Sequence, residues 1–143
     1  MKYMIDTSVF NRIVDGLTFS DYVPDGAELF VTYVQVAEIN QTKDAERRGR
    51  LNLTFALLRP QLANTDSFIF GKTPLGLAPL GITEEFDAIK AELDAKNNSK
   101  GNNDEDALIA ETALKNDYWL ITADRDLADV FSKRSSNFKL IET

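Results

Sequence analysis

The sequence predicts an α/β domain of three layers, in which a central parallel sheet is flanked by helices. Four short apolar segments that resemble buried strands alternate with segments of helical periodicity. This alternation is typical of parallel sheets, because parallel neighbours need a long crossover connection between them. The 143 residues are enough for a substantial core, so we expect a single domain that spans 1–143.

The first part of the chain is predicted to contain two strands and three helices. Thr7 or Ser8 can cap the first helix, and Gly16 ends it. Gly49 either breaks or weakens the third helix, and Pro60 ends it. The predicted strands cover 2–5 and 29–33, and the helices run from 7 to 16, from 34 to about 43 and from 45 to about 58.

The second part begins with a predicted loop at 71–81, which holds three of the seven glycines and two of the four prolines. Thr83 caps a helix that runs to about residue 95, and the Asn-rich stretch 96–103 is expected to be a mobile connection. The remaining predicted elements are a helix at 104–115, a strand at 118–122, a helix from Asp124 or Asp126 to 131, and a strand at 138–141.

Cysteine and histidine are both absent from the chain. The lack of cysteine excludes disulfides, thiolate zinc sites and a cysteine nucleophile. The lack of histidine excludes Ser-His-Asp hydrolysis, histidine-paired ribonuclease chemistry and imidazole-bound zinc or iron. Any chemistry must therefore use carboxylates, hydroxyls, amines or a metal bound by hard oxygen ligands, which favours Mg²⁺ or Mn²⁺.

The chain carries no signal for a membrane or for export. No apolar run approaches the ~20 residues that a membrane span requires, and the start of the sequence meets Asp6 before any long apolar region. We therefore expect a cytoplasmic protein.

The net charge of −7 is unusual for a nucleic-acid-binding protein, because phosphate neutralisation supplies most of the non-specific affinity. A bound metal would cancel part of this charge. Basic residues also cluster in one stretch, which is a candidate contact for RNA or a protein partner: Lys43, Arg47, Arg48 and Arg50. Reversing the charges of Arg47 and Arg48 is expected to weaken such binding.

Four scattered segments each place a carboxylate at the edge of an apolar run: MIDTS at 4–8, VAEI at 36–39, DEDALIA at 104–110 and LITADRD at 120–126. If these segments meet at one cleft, they form an oxygen-rich cage. Like charges repel by about 4 kcal/mol per pair at ~4 Å and an effective dielectric of ~20. Such a cage needs a cation to hold it together.

Two of the acids follow predicted strands. Asp6 comes at the carboxyl end of the first strand, where ligands bind in open α/β sheets. Its alternative role is a helix cap, worth about 1 kcal/mol, but Thr7 and Ser8 are available for that. Asp124, with Asp126 in reserve, follows a later strand in the same way, and turn or cap duty is again the alternative.

The other two acids lie on predicted helices. Glu38 alone would be interpreted as a solvated surface residue. Asp106 aligns at helical spacing with Ile109, Ala110 and Ala113, so it projects from the buried stripe. The neighbouring acids of this helix are expected to differ from it: Asp104 is an accessory candidate and Glu111 faces solvent.

These segments resemble the PIN-domain nucleases, and in particular the toxin ribonucleases of bacterial toxin–antitoxin pairs. The resemblance runs from residue 1 to about 131 and rests on four motifs in order: "Ile-Asp-Thr-Ser" at 5–8, "Ala-Glu" at 37–38, "Asp-Ala-Leu-Ile-Ala-Glu-Thr-Ala" at 106–113 and "Ile-Thr-Ala-Asp-Arg-Asp" at 121–126. The stretches 71–81 and 96–103 depart from the pattern and leave the substrate and the partner open.

The resemblance implies a PIN-like fold, an acidic metal site and hydrolysis of single-stranded RNA. It implies that one or two Mg²⁺ or Mn²⁺ ions are bound by Asp6, Glu38, Asp106 and Asp124, with Asp126 as a further ligand candidate. Thr7, Ser8 and Thr122 would position water or a metal ligand. The toxin reading also implies a cognate antitoxin and a homodimer.

Three alternatives to this prediction follow from the same residues. The chain is a PIN nuclease that processes RNA without being a toxin, or a catalytically inactive α/β binding module in which the acids are caps. A phosphatase of the haloacid-dehalogenase type needs a second aspartate two residues after the first. Position 8 is Ser8, which argues against it.

Overall fold

The computed structural model describes residues 1–67 and 81–142. Within these ranges the chain forms five strands and six α-helices, with a short 3₁₀ turn at Phe19–Asp21. In chain order they are β1 Lys2–Ile5, α1 Thr7–Val14, β2 Glu28–Val31, α2 Tyr33–Asn40, α3 Ala45–Leu58, β3 Gln61–Leu62, α4 Glu84–Asn97, α5 Asn103–Lys115, β4 Trp119–Thr122, α6 Arg125–Ser132 and β5 Phe138–Leu140.

The five strands form one parallel sheet in the order β3-β2-β1-β4-β5. The chain builds outward from β1 on one side through β2 and β3, and then crosses to the other side for β4 and β5. The order therefore switches direction between β1 and β4. In open α/β sheets, ligands bind outside the carboxyl ends of the strands at such a switch point.

The two faces of the sheet bury two separate apolar clusters. Tyr3 and Ile5 of β1 pack with Phe10 and Leu51 from α1 and α3. Met4, which alternates with them, packs instead into a cluster with residues of α4, α5 and α6. Helices therefore cover both faces, and the predicted three-layer arrangement with a central parallel sheet is confirmed.

The first and third helices end as their sequences indicate. At the end of α1 the Leu17 N–H donates to the Arg12 carbonyl and the Gly16 N–H to the Ile13 carbonyl. Gly16 has a φ of +112°, which a glycine adopts without the strain that a side chain would bring. Helix α3 passes through Gly49 without a break and ends just before Arg59 and Pro60.

Several predicted boundaries are wrong by a few residues. Strand β2 ends at Val31 because Thr32 caps the next helix, and α2 is shorter than predicted. Strand β3 was not predicted, since two residues are too short for a periodic signal. The connection predicted at 96–103 is shorter, because α4 continues to Asn97 and α5 begins at Asn103, so that only 98–102 link the two helices. The predicted loop at 71–81 lies outside the described residues, except for Gly81.

Among the helices in the described part of the chain, none is long and apolar enough to cross a membrane.

Candidate active site

Asp6 lies directly after β1, beside the switch point of the sheet, and is only 5% exposed. It occupies the N-cap position of α1, but its side chain makes no capping hydrogen bond. The expectation that Thr7 or Ser8 caps this helix is wrong, because both residues lie inside its first turn. The carboxylate of Asp6 is thus not explained by helix capping.

Two hydroxyl groups hold the Asp6 carboxylate. Its Oδ2 accepts hydrogen bonds from Ser8 Oγ at 2.6 Å and from Thr122 Oγ1 at 2.7 Å. Ser8 Oγ in turn accepts from the Ala123 N–H, and Thr122 Oγ1 accepts from the Asp124 N–H, each at 2.9 Å. Since each hydroxyl accepts from a backbone N–H, its proton is directed at Asp6, and the turn after β4 is linked to the end of β1.

Glu38 projects from α2 toward the start of α1. Its Oε1 accepts a hydrogen bond from Thr7 Oγ1 at 2.8 Å, which joins two elements that are 31 residues apart in sequence. Thr7 therefore orients Glu38, while Ser8 and Thr122 orient Asp6.

Gln35 fixes the helix that carries Glu38, and it was not predicted as a site residue. Its side chain is fully buried. The amide nitrogen donates to the Ile5 carbonyl at 3.0 Å, and the amide oxygen accepts from the Thr32 N–H at 2.9 Å. The pattern Thr-x-x-Gln at 32–35 is a capping-box signature and was the available signal.

Asp106 lies in the first turn of α5 and is 5% exposed, as its place on the apolar stripe predicts. Asp124 is the N-cap of α6, and its Oδ1 accepts from the N–H groups of Asp126 and Leu127 at 2.9 and 3.2 Å. Helix capping thus accounts for the Oδ1 atom of Asp124. Asp126 lies half-buried in the first turn of that helix.

We call Asp6, Glu38, Asp106 and Asp124 the acid cluster. Burial is the main cause that raises the pKa of Glu38 to about 7 and that of Asp106 to about 8. The negative charge of Asp6 raises both pKa values further, and burial followed by the charge of Asp124 raises the pKa of Asp6 itself. Asp6, Glu38 and Asp106 are each less favourable as anions because another acid of the cluster is nearby.

No lysine or arginine of the described residues forms an ion pair with the acid cluster. Its donor set of hard oxygen atoms suits a divalent cation, which would relieve the repulsion. However, no three acidic side chains in 1–67 and 81–142 lie close enough together to enclose a metal ion. An ion bound here would complete its coordination with water, as Mg²⁺ commonly does.

The other predicted site residues make contacts outside the acid cluster, apart from Lys43, which is exposed. Asp104 is 3.9 Å from the ammonium of Lys90 on α4. In the basic stretch, Arg47 donates to Asn11 of α1 and to Asp15, which follows that helix. Arg48 donates to the Thr42 carbonyl and Arg50 to Glu46, whereas Lys43 is exposed.

The expectation that Glu111 faces solvent is wrong. Its side chain is 3% exposed, and Oε2 accepts from Ser67 Oγ at 3.0 Å and from Thr83 Oγ1. Burial raises its pKa. Helix α5 is buried along most of its length, so the assumption of one wet face does not hold for it.

Comparison with solved structures shows the same fold in toxin–antitoxin proteins. The structure of VapBC2 from Rickettsia felis, bound to a DNA fragment from its promoter, matches with a TM-score of 0.53 at 17% identity, over 99% of this chain and 100% of that chain. VapBC-1 from nontypeable Haemophilus influenzae matches with a TM-score of 0.54 at 16% identity, over 98% of both chains. VapBC-5 from Mycobacterium tuberculosis matches with a TM-score of 0.50 at 17% identity.

At these identities the likeness concerns the fold, and the predicted resemblance to PIN-like toxin proteins is confirmed at that level. No protein-family model matches the sequence, and no curated protein matches it.

Proposed function

We propose that this chain is a metal-dependent endoribonuclease that hydrolyses phosphodiester bonds of single-stranded RNA, and that it is the toxin of a toxin–antitoxin pair. One observation carries the proposal. Carboxylates from four separate elements gather at the carboxyl edge of the sheet without an ion pair from the described basic residues, and the pKa values of Asp6, Glu38 and Asp106 are raised. Such an arrangement is unfavourable by itself and becomes favourable with a divalent cation.

In this proposal the acid cluster holds one or two Mg²⁺ or Mn²⁺ ions, with Asp126 as a further ligand candidate. A divalent ion bound there supplies Lewis-acid stabilisation of the leaving oxygen and lowers the pKa of attacking water. Ser8 and Thr122 keep Asp6 in a fixed orientation, and Thr7 does the same for Glu38. These hydroxyls limit the reorganisation that binding a cation requires.

The partners proposed are a cognate antitoxin and a second copy of the chain, in the cytoplasm, with one domain over 1–143. The shared fold with VapBC proteins supports the antitoxin. The basic stretch, which includes Lys43 before α3 and three arginines on α3, remains the candidate contact for RNA or antitoxin. Because Arg47 also binds α1, its charge reversal changes the protein internally, and Lys43 is the cleaner position to test.

An inactive binding module is the second candidate, and the helix-capping contacts of Asp124 favour it. In that case no metal binds and the acids serve only the fold. The third candidate is an RNA-processing nuclease without an antitoxin. It would have the same active site as the proposed toxin and would differ only in its partner. Co-expression with the product of a small neighbouring gene distinguishes it from the toxin.

The test is cleavage of labelled single-stranded RNA with and without Mn²⁺ or Mg²⁺, by the wild type and by Asp6→Asn. We expect cleavage that requires metal and is lost in the variant. Glu92→Gln is the matched control, because Glu92 is a carboxylate paired with Arg134 away from the cluster. If the folded wild type neither binds metal nor cleaves RNA, the binding module is the better description.

A further inference from the structure

A cavity lies at the amino edge of the sheet, opposite the edge that carries the acid cluster. Tyr3 on β1 and Trp119 on β4 line it, together with Lys139 on β5 and with Tyr22, which follows the 3₁₀ turn. Its volume is about 400 Å³, within the range of pockets that hold small ligands. The proposed cleavage of RNA at the acid cluster does not use these residues.

The register of the sheet brings three of these side chains together. Tyr3 and Trp119 are paired positions of the neighbouring parallel strands β1 and β4, so their side chains leave the same face of the sheet. Their ring centroids are 6.0 Å apart, at an interplanar angle of 34°. Lys139 pairs with Ile121, two residues after Trp119, and therefore shares that face. Alternation along three strands thus gives the cavity an aromatic wall with a cation beside it.

Lys139 is held at the cavity by two contacts. Its Nζ donates to the Tyr22 carbonyl at 2.5 Å and lies 5.5 Å from the centroid of the Tyr3 ring, which is a cation–π distance. An ammonium has three N–H donors, so further donors remain for a ligand. Among the described residues, no acidic side chain forms an ion pair with Lys139. The cation is therefore positioned without being neutralised.

The charge and the rings of the cavity favour an anionic ligand with a flat ring. The Lys139 ammonium already lies over the Tyr3 ring, so it takes the place of a cationic ligand and would repel one. Tyr22 and Trp119 are only half-buried, and aromatic side chains of this kind stack with any nucleobase. Asp21 at the rim is exposed, where salt screens its negative charge.

We propose that this cavity binds a nucleotide, with its base against Trp119 and Tyr22 and its phosphate at Lys139. The nucleotide is either a free mononucleotide or part of a single-stranded RNA, since both present the same base and phosphate. The cavity and Asp6 lie at opposite edges of the sheet, so the bound nucleotide takes no part in bond cleavage. The inference goes beyond the proposed nuclease and does not depend on it.

Trp119 is the only tryptophan of the chain, so its fluorescence reports on this cavity. The experiment titrates the protein with AMP, UMP and ribose 5-phosphate in the presence of a chelator, which removes the metal that the proposed nuclease needs. Free N-acetyltryptophanamide corrects for light absorbed by the nucleotides. We expect AMP and UMP to quench the fluorescence to saturation, and ribose 5-phosphate to leave it unchanged because it has no base to stack on the ring.

Two variants test the assigned charges. Lys139→Gln should raise the Kd for AMP about three- to tenfold, because a charge-assisted hydrogen bond is lost. Lys96→Gln is the matched control and should leave the Kd unchanged, since Lys96 pairs with Asp129 away from the cavity. Asp21→Asn changes an exposed side chain and should lower the Kd about twofold, because it removes repulsion of the phosphate.

Competition between AMP and a short single-stranded RNA identifies the source of the nucleotide. Displacement of AMP by the RNA assigns the cavity to RNA, and a lack of displacement assigns it to a free mononucleotide; both results support the proposal. Quenching that does not saturate, an equal Kd in the wild type and Lys139→Gln, or weaker binding in Asp21→Asn would each overturn it. Because the titrations contain no free metal, their failure and a failure of metal-dependent RNA cleavage are separate results.

Discussion

The carboxylates of this protein behave in opposite ways in two regions. On the surface formed by α4 and α6, Glu92 accepts from Arg134 and lies 3.3 Å from Lys133, and these partners lower its pKa. In the acid cluster, Glu38 and Asp106 have raised pKa values because burial and neighbouring acids dominate. In the first region, ion pairs of Glu92 with Arg134 and Lys133 stabilise the contact between neighbouring elements. In the acid cluster, no basic residue of the described chain neutralises the carboxylates.

The direction of the pKa shift distinguishes structural carboxylates from candidate functional ones in a chain with many acids. A carboxylate with a lowered pKa already has its cation, supplied by the protein. A buried carboxylate with a raised pKa costs stability, and such groups are concentrated at functional sites. The following predictions contrast Asp106 with Glu92, and then sharpen the role of individual groups.

The largest expected effect is on catalysis. If the proposed function is right, Asp106→Asn should lower kcat/KM for RNA at least about 100-fold, because the proposed metal site loses a charged ligand. Glu92→Gln should change kcat/KM less than about twofold. Initial rates with labelled RNA and Mn²⁺ test both. Equal losses in the two variants would show that the regions do not differ in function.

The next effect is on metal affinity, which should rise steeply with pH. Metal binds the ionised carboxylates, and below the pKa values of about 7 for Glu38 and about 8 for Asp106 these groups hold protons. We expect Mn²⁺ affinity to increase at least about tenfold from pH 6 to pH 8, measured by titration calorimetry. A flat affinity over this range would mean that these two acids are not ligands.

Stability of the metal-free protein should change in opposite directions in the two regions. Because the pKa of Asp106 is raised, the folded state holds a proton that the unfolded state releases between about pH 4 and pH 8, and stability falls as pH rises through this window. Asp106→Asn should therefore increase the free energy of unfolding at pH 8 by about 2 kcal/mol.

Glu92→Gln should decrease it by about 0.5–1 kcal/mol, since the pKa of Glu92 is lowered and its contribution is present above the unfolded pKa. Urea unfolding in the presence of a chelator measures both variants. A change in the free energy of unfolding with the same sign in both variants would show that the two regions do not differ in this respect.

The smallest effect concerns a single hydroxyl. Thr7→Val removes the donor to Glu38 Oε1, so the pKa of Glu38 should rise further. The acidic limb of the pH–rate profile should then move to higher pH by about 0.5 unit, which corresponds to the loss of one hydrogen bond. Thr54→Val on α3, whose hydroxyl donates to its own helix, is the control and should leave the profile unchanged.

Local patterns in the sequence were sufficient to predict the class of fold and the four cluster acids as candidates. Alternation of apolar strands and helices predicts the parallel sheet, because each element must bury one face. The strand-then-acid order predicts that Asp6 and Asp124 lie at the same edge. Helical spacing predicts the burial of Asp106, which the structure confirms.

Only the tertiary structure decided which groups donate hydrogen bonds to these acids and which raise their pKa by burial or repulsion. The bonds from Thr7 to Glu38 and from Thr122 to Asp6 join residues 31 and 116 positions apart, and no local pattern encodes them. Glu111 was misjudged because the covering of both sides of α5 depends on how the whole chain packs. Periodicity reports one face of one helix, whereas pKa values and contacts depend on every element that surrounds a side chain.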